Sequence, residues 1–274
     1  MEMLSTPYNP RPLELNPVEG VAWGNQATMR MVSGPTYQSI ELVTSITDPK
    51  DIERVRITLN GKEIIGVTGE DLVAIQSHRK QYVQAGRYLI PFSDLSLRTK
   101  AGVRTGELVT LKGEIWMMYI QLKPKSGPAP AIRARAHTTA AQATRVYLPR
   151  LYSLTWSAPA SGRTPFDWAE RSPFLTLKRV HFKDETIERV RILRDSREEM
   201  NVSKADNAFD LAIADLEQNT NWFSLDFIRT GFGVEGRLPT NAIESLSFEL
   251  DKTEAGAVPV LIEAIEQVAL IQSS

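Results

Sequence analysis

Apolar residues in this chain recur mostly at every second position, in short runs broken by turn-forming residues. Strand side chains point to alternate faces, so this pattern predicts half-buried β-strands. Residues 28–32 alternate, and Ile40 and Leu42 alternate with Ser39 and Glu41. Val55, Ile57 and Leu59 are expected on one face and Arg54, Arg56 and Thr58 on the other. Trp116, Met118, Ile120 and Leu122 share a face within a strand over 114–122. Further strands are predicted over 87–92, 107–111 and 130–137, then over 145–156, 174–182, 222–228, 246–250 and 258–268. Thr68 and Asp71 have the spacing of a capping box, which predicts a helix running to about His78 with Leu72, Val73 and Ile75.

The two halves carry one pattern. Ile52-Glu53-Arg54-Val55-Arg56-Ile57 returns unchanged as Ile187-Glu188-Arg189-Val190-Arg191-Ile192, an offset of 135 residues. At that offset the turn at Asn60-Gly61 falls on Asp195-Ser196, Thr68 and Asp71 on Ser203 and Asp206, and Tyr88, Ile90 and Phe92 on Phe223, Leu225 and Phe227. Asn-Gly is a strong hairpin signal, since both residues tolerate positive φ. The period is far too long for a solenoid or propeller, so one domain is used twice. Each repeat shows about eight short strands with one short helix inserted midway. That count predicts an all-β chain of two tandem eight-stranded jelly rolls. The expected division is a proline-rich arm over 1–19, a first jelly roll over 20–138 and a second over 139–274. Pro7, Pro10, Pro12 and Pro17 suggest that the arm is extended rather than a strand or helix, either a tail or a tether to a neighbouring subunit. Residues 158–173 read as a loop.

Composition narrows the function by exclusion. Of 274 residues 24% are charged and the net charge is −1, so no global field draws the chain to nucleic acid or acidic lipid. Without cysteine there is no disulfide, thiolate nucleophile or cysteine-ligated metal. The first residues lack a signal-peptide pattern and no apolar run is long enough to span a bilayer, which predicts a soluble protein.

Candidate chemistry is sparse. Gly231-Phe232-Gly233-Val234-Glu235-Gly236 matches a dinucleotide fingerprint, but Arg237-Leu238-Pro239 and a strand follow where a helix is required. A sheet-connecting loop is expected, like the Arg/Gly loop over 98–106. His78, His137 and His181 lie far apart in sequence and form no metal-binding pair, so packing or surface roles are expected. Asp48, Asp51, Asp184 and Glu185 carry oxygen ligands without calcium-loop spacing and read as turn residues. Arg133 and Arg135, and the loop residues Arg98, Lys100 and Arg104, form either a phosphate-binding surface or a salt-bridged one. Trp156, Trp168 and Trp222 fit a sugar platform or a core equally well.

Pro35-Thr36-Tyr37-Gln38-Ser39-Ile40-Glu41-Leu42, the strand ending at Asn60-Gly61, the helix over 70–79 and Ala85-Gly86 together resemble the major capsid protein of corticoviruses. These are tailless, icosahedral, membrane-containing phages of marine bacteria. The second half is similar around Lys204-Ala205-Asp206-Asn207 and over 221–227. The likeness covers most of 20–268 and is weakest in the arm and in 158–173. It implies a double jelly-roll subunit of the virion, made in the bacterial host cytoplasm and forming homotrimers over an internal lipid membrane. Its implied partners are itself, neighbouring trimers, vertex (penton) proteins and minor capsid or membrane proteins, with no specific nucleic-acid binding. It implies no catalytic residue and no cofactor beyond structural calcium, for which no ligand is assigned. A tandem β-sandwich carbohydrate-binding module remains the alternative; a two-domain cupin enzyme would need histidine ligands that are missing.

Overall fold

A computed structural model describes residues 7–270. The first repeat runs through β1 (Arg11–Glu14), β2 (Gln26–Arg30), β3 (Thr36–Thr44), β4 (Ile52–Leu59), β5 (Lys62–Val67), α1 (Gly69–His78), β6 (Arg87–Pro91), α2 (Lys100–Thr105), β7 (Leu108–Val109), β8 (Trp116–Leu122) and β9 (Ile132–Thr139). The second runs through β10 (Tyr147–Ala158), β11 (Gly162–Asp167), β12 (Leu175–Phe182), β13 (Ile187–Arg194), β14 (Arg197–Ser203), α3 (Lys204–Ile213), β15 (Phe223–Asp226), β16 (Leu238–Pro239), β17 (Leu246–Lys252) and β18 (Gly256–Gln267).

Setting aside the two-residue strands β7 and β16, each repeat has eight strands in two sheets. In the first the orders are β1-β9-β3-β6 and β2-β8-β4-β5; in the second they are β10-β18-β12-β15 and β11-β17-β13-β14. Counted from its own first strand, each repeat pairs first-eighth-third-sixth and second-seventh-fourth-fifth, the strand order of a jelly roll. The identical hexapeptides occupy the equivalent fourth strands β4 and β13. The hairpins that follow both use left-handed residues, with φ of 49° and 85° at Asn60-Gly61 and 49° and 65° at Asp195-Ser196. The helix caps correspond as well. Thr68 and Asp71 form a reciprocal capping box, and the Ser203 hydroxyl accepts from the Asp206 amide.

Each sandwich has its own core. Val55, Ile57, Trp116, Met118, Ile120 and Leu122 are buried in the first, and Val190, Ile192, Leu246, Phe248 and Leu250 in the second. Thr58 departs from its expected outward place and is buried, because a bulge interrupts the β4–β5 ladder between Ile57 and Thr58.

Three expectations need correction. The arm expected over 1–19 contains the first strand of the first jelly roll, for Arg11–Glu14 pairs antiparallel with β9. Pro12 is admissible there because β1 is an edge strand, where proline's missing N–H is tolerated. The loop expected over 158–173 contains the edge strand β11, whose largely exposed residues and Pro165 hide its alternation. The loop over 98–106 contains a second helix in the first repeat, α2, capped by Thr99.

The two sandwiches share one continuous sheet. Strand β5 of the first repeat lies parallel to β10 of the second, with Ile65 opposite Leu151, so four strands from each repeat join in one layer, with β16 attached.

Ile57→Ala and Ile192→Ala are each expected to cost about 2–5 kcal/mol by loss of buried methylenes. Arg56→Ala and Arg191→Ala, at side chains that point away from the cores and engage Glu63 and Asp251, should each cost less than the isoleucine changes. Denaturant titration of the four variants checks the assignment; equal losses for Arg and Ile would contradict it.

Candidate functional site at the seam between the repeats

Charged residues with no role in either core gather where the repeats meet. The last turn of α1 and the segment after β6 bring His78, Arg79 and Asp94 from the first repeat. Strand β12 brings Lys178, Arg179 and His181, β15 brings Ser224 and Asp226, and β18 brings Glu263. All nine are buried.

Ions survive such burial only when paired, and here three cations meet three carboxylates. The Arg179 guanidinium lies 2.7 Å from Asp94 across the seam and also engages Asp226 and Glu263. Arg79 reaches back from α1 to donate to Glu263 and stands 3.7 Å from Asp94. Lys178 stands 3.9 Å from Glu263.

The two histidines complete the network. His78 places Nδ1 2.8 Å from the Glu217 carbonyl oxygen and Nε2 3.1 Å from Asp226, so both ring nitrogens face acceptors in the other repeat. His181 sets Nδ1 2.8 Å from the Ser224 hydroxyl and Nε2 3.2 Å from Glu263. The two rings meet edge to face at 5.2 Å.

Burial and charge compete at each group. Burial by itself would raise the Asp94, Asp226 and Glu263 carboxyls, but the surrounding arginines outweigh it and hold all three below the usual range. Burial pushes the Lys178 ammonium down to about 8 against the pull of Glu263. Burial likewise lowers the His181 imidazole, although Glu263 favours its charged form.

A second contact joins the loops that follow β6 and β15. The Arg98 amide donates to the Gly231 carbonyl at 2.9 Å. A Cβ on Gly233 would stand 2.4 Å from Leu97 Cδ1, and one on Gly102 would stand 3.2 Å from the Gly233 amide nitrogen. Gly231 and Gly233 of the fingerprint-like stretch therefore serve close packing between repeats, while Gly236 packs against Phe227 and Phe232 of its own repeat. The two-residue strand β16 follows them and no helix does.

The remaining sequence candidates disperse. His137 sits on β9, 3.4 Å from the Ser39 hydroxyl. Arg133 pairs with Glu14 at 2.7 Å and Arg135 with Glu41 at 2.9 Å, while Arg104 is buried against Glu107 at 3.1 Å. Arg133 and Arg135 thus lie on a salt-bridged surface, and Arg104 lies inside the fold. Asp48 caps a short 3-10 turn, Asp51 pairs with Lys125, Asp184 holds Lys252 and Thr186, and Glu185 precedes them in a turn. Among the described residues no three His, Asp or Glu side chains stand close enough to hold a metal ion. Trp168 is buried and Trp156 stacks on Phe166 at 4.8 Å inside the second core. Trp222 lies against His181, so the tryptophans build no sugar platform.

The seam was not expected from sequence, although two signals for it exist. Glu263 interrupts the apolar run Val260-Leu261-Ile262 and Ala264-Ile265, and Lys178, Arg179 and His181 interrupt another between Leu175 and Phe182. Both strands are buried on both faces, unlike the usual outer strand of a sandwich.

Two jelly rolls of the same strand order, joined through one sheet and a buried ionic seam, make the chain a double jelly roll. The chain belongs to the P2 viral coat protein family: the model of its N-terminal domain matches residues 12–139 and that of its C-terminal domain residues 148–268. The major capsid protein P2 of Pseudoalteromonas phage PM2 is 23% identical over 260 residues, 92% of this chain and 95% of its own length. The crystal structure of that phage protein superposes with a TM-score of 0.86 at 21% identity, covering 95% of this chain and 98% of the other. The fold is shared further with coat subunits of Sulfolobus turreted icosahedral virus (TM-score 0.65, 12% identity, 95% and 92% covered) and of PBCV-1 (TM-score 0.63, 8% identity, 98% and 99% covered). The chain is a structural component of a virus coat and not an enzyme.

Arg179→Met should destabilise the protein by about 3–5 kcal/mol, because it leaves Asp94 and Asp226 buried without their main partner. Arg54→Ala, which removes a largely exposed pair with Glu63, should cost under about 1 kcal/mol. Denaturant titration distinguishes the two.

Acid should loosen the seam in two stages. Below about pH 6.5 the unfolded chain binds a proton that the depressed His181 ring refuses, so stability falls as pH drops. Below about pH 4 the low-lying carboxyls add a steeper loss, since they protonate first in the unfolded state. Thermal melts between pH 7.5 and 5 should fall for the wild type and be flatter for His181→Gln. Equal slopes would contradict the assignment.

Proposed function

We propose that this chain is the major capsid protein of an icosahedral, membrane-containing bacteriophage and acts as a homotrimeric capsomer. The observation that carries the reading is the nearly full-length correspondence, in both sequence and fold, with the PM2 major capsid protein. The duplication gives the trimer its purpose. Three copies of a two-domain chain present six similar wedges, a nearly hexagonal block that tiles a shell from one gene product. Closed cyclic assembly uses heterologous contacts, in which one repeat's side meets the other repeat of the next copy. Interfaces of that obligate kind bury roughly 2,000 Å² or more.

In this reading trimers meet edge to edge in the virion, and vertex and minor capsid or membrane proteins complete the shell over the lipid bilayer. The segment before β1 is proposed to reach a neighbour or that membrane. Its residues 1–6 lie outside the described structure.

Size-exclusion chromatography with light scattering tests the first step. A particle of three times 30.7 kDa is expected. A stable monomer that binds a glycan would contradict the capsomer.

A further inference from the structure

The two histidines of the seam face different partners. His78 sets Nδ1 2.8 Å from the Glu217 carbonyl oxygen and Nε2 3.1 Å from Asp226. Neither partner can donate. A carbonyl oxygen only accepts, and Arg179 holds the Asp226 carboxyl low against burial, while its other oxygen accepts the Ile228 amide. A neutral imidazole has one N–H, so either tautomer would point a lone pair at an oxygen. Only the imidazolium donates to both.

His181 needs no such charge. The Ser224 hydroxyl, 2.8 Å from Nδ1, can donate, and Glu263 at Nε2 accepts. A neutral ring protonated on Nε2 satisfies both. The rings stand 5.2 Å apart, so a second proton would set two buried charges side by side.

The surroundings favour this division. His78 lies in the last turn of α1, where the unpaired helix carbonyls attract a cation. Burial depresses the His181 imidazole, and the charge on His78 depresses it further. The other cations of the seam are already matched, Arg179 by Asp94 and Asp226, and Arg79 and Lys178 by Glu263. At the rim Lys80 pairs with Asp215 and Lys183 with Asp71. The His78 carbonyl also accepts the Glu217 amide at 2.9 Å, so two reciprocal bonds clasp the end of α1 to the segment after α3.

We propose that the seam is a one-proton latch, in which His78 carries the proton and ties the end of α1 to the second repeat while His181 stays neutral. Acid adds a second charge beside the first. As the pH rises and His78 loses its proton, one of its two acceptors is left facing a lone pair and the clasp on Glu217 loosens. The His78 contribution thus falls as pH rises, and that of His181 falls as pH drops. The hold between the repeats is gated from both sides of neutrality. This device lies within one chain and does not depend on the trimer proposed above.

The chain has three histidines, which makes the test direct. NMR of nitrogen-15 histidine-labelled protein at pH 7 distinguishes an imidazolium from either neutral tautomer. His78→Gln and His181→Gln assign the signals. Ser224→Ala, which removes only a hydroxyl beside His181, assigns them should either of those variants fail to fold. His78 is expected to show two N–H nitrogens and His181 one, on Nε2. A bare nitrogen on His78, or an imidazolium at His181, would overturn the latch.

Hydrogen exchange at the Glu217 amide, corrected for its intrinsic rate, gives a second readout. Raising the pH from 7 to 9 should speed it about tenfold in the wild type, the scale of one lost hydrogen bond, but not in His78→Gln. Lys178, whose ammonium burial pushes down to about 8, titrates in the same range and is present in both proteins. An unchanged wild-type rate, or the same increase in the variant, would equally overturn the latch.

Discussion

Two sandwiches on one polypeptide have no reason, from their cores alone, to hold one mutual orientation. Here the orientation is constrained by Arg179, which enters a buried seam and meets Asp94 of the first repeat together with Asp226 and Glu263 of the second. A buried guanidinium tolerates almost no misplacement, because each lost partner leaves a charge without compensation. Well-packed apolar residues in place of a buried ion network are often as stable or more so, so the three cations and three carboxylates are weak evidence of added stability. The shared sheet between β5 and β10 carries the same constraint along the backbone.

That constraint links fold to function. A coat subunit built from a duplicated domain presents a constant surface to its neighbours only if the angle between its halves is fixed. The two loops that interlock at Gly102 and Gly233 add a second point of contact, so the repeats are held at more than one place. With both points fixed, the outer face of the first repeat and the exposed side of α3 are presented in a constant relation to each other.

Much of the fold was legible in the sequence because strands with one wet face write their alternation plainly. Trp116, Met118, Ile120 and Leu122 show it, and the repeated hexapeptide placed β4 and β13 in equivalent positions. What escaped did so for physical reasons. Strands β1 and β11 lie at sheet edges with most residues exposed, and each contains a proline, so neither alternation nor propensity marked them. The ionic seam escaped because its members come from distant segments, and pairing between Arg179 and Asp94 leaves no local pattern. Only the interruptions at Glu263 and at Lys178-Arg179 in otherwise apolar runs pointed to a second buried surface. His78 and His181, far apart along the chain, meet there edge to face.

The central claim is that the buried seam around Arg179 fixes how the two repeats of one chain sit against each other. A cryo-electron microscopy reconstruction of the purified capsomer, at a resolution that shows side chains, tests it most directly. The account predicts an inner seam in each copy in which Arg179 meets Asp94 together with Asp226 and Glu263. A capsomer in which the two repeats of one chain sit apart from each other, or in which Arg179 faces solvent, would contradict it.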